Sequence, residues 1–138
     1  MTQNAQSIIK TLGMIPHPEG GWYVETWRST DGPRPSGSAI YFLLEADQRS
    51  HWHRIDSAEI WHWYAGSPLE LRIYENGATK LNILGPDLPA NQRPQRIVPP
   101  SAWQSAAPIG GWVLVGCTVS PAFTFDTFEL APEGWVPG

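Results

Sequence analysis

Two histidines and a glutamate in the middle of the chain have a spacing that suits a metal site. His51 and His53 are separated by one residue, and Glu59 follows after a turn at Asp56 and Ser57. Strand side chains two residues apart share a face and lie about 6.6 Å apart along the backbone. The pattern therefore predicts one divalent ion, zinc, iron, nickel or manganese, held by His51, His53 and Glu59. The alternative is a polar cluster at a barrel mouth that binds no metal.

The same residues belong to a longer motif. The run from His51 through Glu59 to Gly66 resembles the first signature motif of the cupin superfamily. The second cupin motif corresponds to Pro-Pro-Ser-Ala-Trp-Gln at residues 99–104. Gln104 stands where this motif places a histidine, so the resemblance implies a fourth metal ligand at Gln104. An amide oxygen suits zinc, iron or nickel less well than an imidazole does.

Three flanking stretches narrow the resemblance. Pro-His-Pro-Glu-Gly-Gly, Glu-Ile-Trp-His and Leu-Val-Gly-Cys-Thr-Val occupy residues 16–21, 59–62 and 114–119. Together they make the chain similar to the fifth-type cupin family. The resemblance implies an all-β double-stranded β-helix, the cupin jelly roll, whose interior holds one small-molecule site. It also implies a homodimer, for which the aromatic residues Trp27, Trp112 and Trp135 would suit a symmetric contact.

The apolar pattern predicts one short N-terminal helix followed by many strands. Ile8, Ile9 and Leu12 share one helical face. Asn76-Gly77 predicts a tight hairpin. Period-two and short apolar runs predict strands at residues 22–27, 39–44, 60–64, 69–74, 81–84, 112–119 and 123–130. Sandwich, jelly roll and small barrel all fit this pattern, and the cupin resemblance selects the jelly roll, as a single domain over residues 1–138.

Composition excludes several classes of partner. The net charge is −4, and the nine basic residues are scattered singly, so no surface suited to nucleic acid or an anionic membrane is expected. No apolar run reaches the length of about 20 residues that a membrane helix needs. No signal peptide is recognised, which predicts a cytoplasmic protein. The single cysteine, Cys117, lies in an apolar setting typical of a buried thiol.

Strand alternation predicts which aromatic residues face the site. Glu59, Trp61 and Trp63 share one strand face, so an inward Glu59 would bring both tryptophans into the cavity. His62 would then face the opposite way and have a structural role. Trp103, in the second motif, is also expected to contact the ligand.

Three further residues are candidates for substrate contact or proton transfer. Glu19 lies in the Pro-rich loop at residues 16–21, which the resemblance places near the site. Arg28 has the side chain to bind a carboxylate or phosphate through two hydrogen bonds, although an isolated arginine more often forms a surface ion pair. Tyr41 is expected to project into the barrel, with Ile40 and Phe42 facing the other way.

These residues support three hypotheses. The first is an isomerase or epimerase of a small polar molecule, in which His53 removes a proton next to a carbonyl, Glu59 assists, and Tyr41 returns a proton. The second is a metal-dependent oxygenase or lyase that uses His51, His53 and Glu59. The third is a barrel that binds a small ligand without turnover.

Overall fold

The structure, a computed structural model, describes residues 3–138. Helix α1 spans Ala5–Leu12. It begins with a capping box in which the Asn4 side chain accepts a hydrogen bond from the Ser7 amide, and it ends at Gly13 in the left-handed conformation. None of the helices in residues 3–138 is long and apolar enough to cross a membrane.

Two antiparallel sheets make up most of the remaining chain. The first contains, in spatial order, β1 (Ile15–Pro16), β2 (Trp22–Arg28), β3 (Ser38–Leu44), β10 (Val113–Ser120), β5 (Ala58–Gly66) and β8 (Gln95–Val98). The second contains β11 (Glu129–Leu130), β4 (Ser50–Arg54), β9 (Trp103–Pro108), β6 (Leu69–Glu75) and β7 (Ala78–Leu84). Neighbouring strands in sequence often lie in opposite sheets. The arrangement confirms the predicted all-β jelly roll with a short N-terminal helix.

The apolar core occupies one end of the space between the sheets. Leu44 and Phe42 on β3, Trp61 on β5 and Val113 and Val115 on β10 are buried there. Each such side chain contributes roughly 1.5–3 kcal/mol through its burial. The opposite ends of the same strands carry polar and smaller inward residues, so the core leaves a cavity at that end.

Not every predicted strand is present. The hairpin at Asn76-Gly77 joins β6 to β7 as expected. The strand predicted at 123–130 is wrong, because the segment forms a 3-10 turn at Phe125–Thr127 and only the two-residue strand β11. Two of its apolar residues, Phe123 and Phe125, lie outside any strand and line the cavity. The apolar pattern does not predict β1, β8 and β9, and it is the spacing of His51 and His53 that indicates β4.

The tryptophans expected at a dimer contact differ in exposure. Trp27 on β2 is 55% exposed. Trp112 packs in the cluster beneath helix α1, and Trp135 lies on Trp103 with ring centroids 4.6 Å apart. The homodimer stays a prediction from the resemblance.

The loop at residues 16–21 is pressed against strand β4. The His51 amide donates a hydrogen bond of 2.8 Å to the Glu19 carbonyl oxygen. Gly20 has a φ of 110°, and a Cβ atom there would overlap the carbonyl oxygen of Arg49. Only glycine allows both this conformation and this approach. The loop therefore delivers the side chain of Glu19 to the inner surface of β4.

We expect Gly20→Ala to lower the free energy of unfolding by about 2 kcal/mol or more, because the new Cβ would force the loop away from β4. Thermal denaturation followed by circular dichroism would measure this. Gly111→Ala is the control, since a Cβ at Gly111 meets no atom within 4 Å. Its effect should stay within about 0.5 kcal/mol. Equal losses in the two variants would contradict the close packing of the loop.

Candidate functional site

A cavity of about 530 Å³ opens at the polar end of the barrel. Strands β2, β3, β4, β5 and β10 contribute to its walls, and the segment after β10 borders it. Five buried titratable side chains line it: His17, Glu19, His53, Glu59 and Cys117. A concave space with convergent polar groups of this kind is typical of a small-molecule site.

His53 is held as a neutral imidazole with one nitrogen free. Its side chain is buried on β4, and Nδ1 lies 2.8 Å from the carbonyl oxygen of His51. A carbonyl oxygen can only accept, so Nδ1 donates and Nε2 carries the lone pair. Burial lowers the pKa of His53, against the opposing effects of Glu59 and of this hydrogen bond. Nε2 lies 3.5 Å from Oε2 of Glu19.

Glu19 is the acidic partner of this imidazole. The Ser50 hydroxyl donates a very short hydrogen bond to its Oε2. Burial raises the pKa of Glu19 to about 8, although the Ser50 hydrogen bond acts in the opposite direction. Glu19 is therefore mainly protonated at neutral pH, next to an imidazole that is mainly unprotonated. A protonated carboxyl beside an unprotonated imidazole is an arrangement that can support acid–base chemistry.

His17 supports Glu19 from the same loop. Its Nδ1 accepts a hydrogen bond of 3.1 Å from the Glu19 amide and lies 3.3 Å from the Oε1 atom of Glu19. Burial, with a smaller effect from His53, lowers the pKa of His17 to about 3. A neutral His17 with its proton on Nε2 satisfies both observations.

Gln104 orients Glu59. The Trp61 indole donates a hydrogen bond of 2.9 Å to Oε1 of Gln104, and Nε2 of Gln104 donates one of 2.8 Å to Oε1 of Glu59. Because an indole nitrogen only donates, it determines which end of the amide faces Glu59. Burial raises the pKa of Glu59. Gln104 thus acts on the site through the Glu59 carboxyl.

His51 does not share the inward face with His53, contrary to the expectation from their spacing. Ser50 pairs with Ala106 and His53 with Gln104, so β4 carries one extra residue relative to β9. This irregularity turns Ser50 and His53 inward, and His51 is exposed. The two imidazoles therefore do not meet at one point.

Tyr41 also faces away from the cavity, contrary to expectation. It packs in the cluster formed beneath helix α1, with its ring 6.0 Å from that of Tyr64. Ile40 lines the cavity instead. The helix covers the outer face of β3 and gives Tyr41 a half-buried place there. The tyrosine that lines the cavity is Tyr23 on β2.

The remaining predicted ligand contacts have other surroundings. Arg28 lies at the cavity mouth, paired with Glu25 at 2.8 Å and bonded to the Phe123 carbonyl oxygen at 2.9 Å. Trp63 packs against the core and donates to the Ser67 carbonyl oxygen. Trp103 contacts Arg54 and Trp135. The cavity lining includes none of the three predicted tryptophans, which are Trp61, Trp63 and Trp103.

His62 lies on the outer face of β5, as alternation predicts. Its Nε2 is 3.1 Å from the Thr118 hydroxyl oxygen. Glu59 and Trp61, on the other face, are both buried. The alternation predicted for Glu59, Trp61 and His62 is therefore present in β5, although neither Trp61 nor Trp63 reaches the cavity.

The donor set does not fit the predicted metal site. His51 faces outward, and one oxygen of Glu59 is occupied by Gln104. Across residues 3–138, no group of three His, Cys, Asp or Glu side chains is arranged to hold a metal ion. His51, His53, Glu59 and Gln104 are therefore not arranged as the predicted set of metal ligands.

Sequence reasoning missed several residues of the cavity. They include His17, Tyr23 and the aromatic residues Phe123 and Phe125. His17 shares the Pro-rich motif with Glu19, which was a usable signal. Cys117 is buried as expected and also lines the cavity, where burial raises the pKa of its thiol. Phe123 and Phe125 were assigned to a strand that does not form.

The fold and the cavity define a jelly-roll protein with buried titratable side chains around the cavity at one end of its barrel. A family model described as Cupin superfamily (DUF985) matches residues 6–131. The chain therefore belongs to this family of the cupin superfamily.

Solved structures show the same architecture. A protein of Shewanella oneidensis is 42% identical with a TM-score of 0.90, and the match covers 94% of this chain and 85% of that one. A hypothetical protein from Leishmania major is 30% identical with a TM-score of 0.86, over 94% of this chain and 88% of the other.

A more distant likeness concerns the fold alone. Oxalate decarboxylase of Bacillus subtilis is 11% identical, with a TM-score of 0.66, over 84% of this chain and 29% of that one. No match was found among curated proteins.

We expect Glu19→Gln to raise stability at alkaline pH. The raised pKa means that the folded chain keeps a proton that the unfolded chain releases. Stability therefore falls as pH rises from the ordinary glutamate pKa of 4.5 to about 8. An amide removes this contribution and should raise the free energy of unfolding by about 2 kcal/mol at the upper end of that window.

Urea denaturation across that pH window would measure the difference. Glu133→Gln, at an exposed position, is the control and should change the free energy of unfolding by less than about 0.5 kcal/mol. A Glu19→Gln variant whose stability follows the same pH slope as the parent would show that Glu19 is ionised in the folded chain.

Proposed function

We propose that this protein is an isomerase or epimerase that transfers a proton on a small polar molecule held in the cavity. The observation that carries the proposal is the 3.5 Å approach of His53 Nε2 to Glu19 Oε2 at the buried wall of the cavity. One group is unprotonated and the other protonated near neutral pH, as a base and an acid acting together require.

His53 is the proposed base. Its Nε2 takes a proton from a carbon next to a carbonyl, and the C–H electron pair moves to form an enol. The imidazolium formed is stabilised by the His51 carbonyl oxygen at Nδ1 and by the neighbouring carboxyls Glu19 and Glu59. Because these groups are already oriented, little reorganisation accompanies the charge that develops.

Glu19 is the proposed acid. Its proton passes to the carbonyl oxygen as the enol forms, and the carboxylate left behind is stabilised by the Ser50 hydroxyl. When His53 returns its proton to the neighbouring carbon and Glu19 takes back a hydroxyl proton, the product is an isomer and both groups are restored. When Tyr23, which lines the cavity, gives a proton to the opposite face of the same carbon and Glu19 takes back the enol proton, the product is an epimer. Water then removes the proton from His53 and returns one to Tyr23, which has the role of second proton donor expected of Tyr41.

The rate should depend on pH through both groups. Protonated His53 cannot act as base, so activity should fall as pH drops below its pKa, which burial lowers from 6.5. Ionised Glu19 cannot donate, so activity should also fall as pH rises through its pKa of about 8. Exchange of carbon-bound hydrogen for solvent deuterium in a panel of hydroxy-carbonyl compounds, followed by NMR, would measure the profile. A rate of exchange that kept increasing as the pH rose above about 8 would exclude Glu19 as the acid.

Replacing the base should separate catalysis from folding. We expect His53→Gln to reduce the exchange rate by about 10²–10⁴-fold and to leave the circular dichroism spectrum unchanged. His51→Gln is the matched control because this exposed imidazole faces away from the cavity, and its rate should stay within about twofold of the parent. Similar losses in both variants would indicate a site built on the two histidines together.

A further inference from the structure

Acidic side chains outnumber basic ones on the cavity wall. Four acidic residues line it: Glu19, Glu25, Glu59 and Asp126. Within residues 3–138, Arg28 is the only arginine or lysine on this lining. Two of its hydrogen bonds go to Glu25, at 3.2 and 2.8 Å, and a third goes to the Phe123 carbonyl oxygen. An anionic ligand would therefore face carboxyls, with the one neighbouring guanidinium already paired.

Aromatic rings form the wall next to these carboxyls. Phe123 and Phe125 meet edge to face with centroids 4.8 Å apart, and Tyr23 lies 4.6 Å from the ring of His17. Tyr23, Phe123 and Phe125 all line the cavity. Ring faces attract cations within about 6 Å of the centroid, most strongly where water is excluded. Aromatic rings together with carboxyls suit a positively charged nitrogen.

We propose that the molecule bound in this cavity carries a cationic nitrogen, an amine or quaternary ammonium, placed between the aromatic wall and the buried carboxyls Glu19 and Glu59. The inference rests on the proposed function only in using the same cavity, and it names the substrate class. The expectation of an anion bound by Arg28 predicts the opposite selectivity.

Binding of a cation should also change the protonation of the buried acids. Glu19 is faced by His17 from its own loop, by Ser50 and His53 from β4, and by Glu59 from β5. A cation favours the ionised carboxyl, so its binding should release a proton where Glu19 is still protonated. Affinity for a cation should therefore rise as pH increases toward about 8, the pKa of Glu19. An anion would show the opposite trend.

Three small probes at constant ionic strength test the charge preference. Choline carries a quaternary ammonium, 3,3-dimethylbutan-1-ol is its uncharged isostere, and acetate is an anion. Binding would be followed by NMR of the histidine ring signals in the full chain. We expect choline to bind at least about tenfold more tightly than the isostere, a difference of about 1.4 kcal/mol, and acetate to bind more weakly than either. Failure of choline to bind, equal binding of the isostere, or tighter binding of acetate would overturn the inference.

Two variants make the test specific. Glu59→Gln should weaken choline binding by about tenfold and leave the isostere unchanged. Phe125→Leu keeps apolar area at the mouth but loses the ring, and it should weaken choline more than the isostere. Equal effects on both probes would show that the carboxyl and the ring do not recognise charge.

The proposed reaction and the proposed ligand class fail separately. His53→Gln should retain choline binding while losing deuterium exchange. If the variant loses deuterium exchange and still binds choline selectively, both proposals are supported. If the parent protein exchanges deuterium but does not prefer choline to its uncharged isostere, only the proposed ligand class is overturned. Selective choline binding by a protein that exchanges nothing overturns only the reaction.

Discussion

The burial of Glu19, Glu59 and His53 together, with no free cation on the surrounding wall of the described chain, is the constraint on which the site depends. A charged group removed from water costs several kcal/mol unless it is paired. The cavity avoids that cost because burial shifts each pKa toward the neutral form. A protonated Glu19 beside an unprotonated His53 is the result, and this combination suits proton transfer.

The jelly roll makes this arrangement possible by dividing its interior. On β3 and β5 the inward residues change from apolar ones, Phe42 and Trp61, to the polar Ser38 and Glu59, so one end holds the core and the other the cavity. The apolar core stabilises the folded chain, and this stability offsets the cost of burying the acids. Natural proteins commonly retain such locally unfavourable groups where function needs them.

Orientation of the acids comes from groups that do not themselves need to meet a ligand. Ser50 and His17 hold Glu19, while Gln104, itself oriented by the Trp61 indole, holds Glu59. The glutamine at the position of the expected fourth metal ligand therefore has a clear structural use. Its amide nitrogen donates a hydrogen bond to the Glu59 carboxyl and so fixes the orientation of that group.

The sequence by itself determined the features that depend on local pattern: the capped helix α1, the Asn76-Gly77 hairpin, and the alternation that puts Glu59 and Trp61 on one face of β5. Its motifs also indicated the jelly roll and the loop that carries Glu19. Each of these follows from short-range periodicity, or from a motif contained in one segment.

Only the tertiary structure decided which side chains meet. The extra residue in β4, visible only against its partner β9, turned His51 outward. The packing of helix α1 drew Tyr41 to the outer face, and Glu25 occupied Arg28. The segment after β10, which pairs as a strand only at β11, brought Phe123 and Phe125 to the cavity. These outcomes depend on contacts between residues far apart in the chain, which alternation within one strand does not encode.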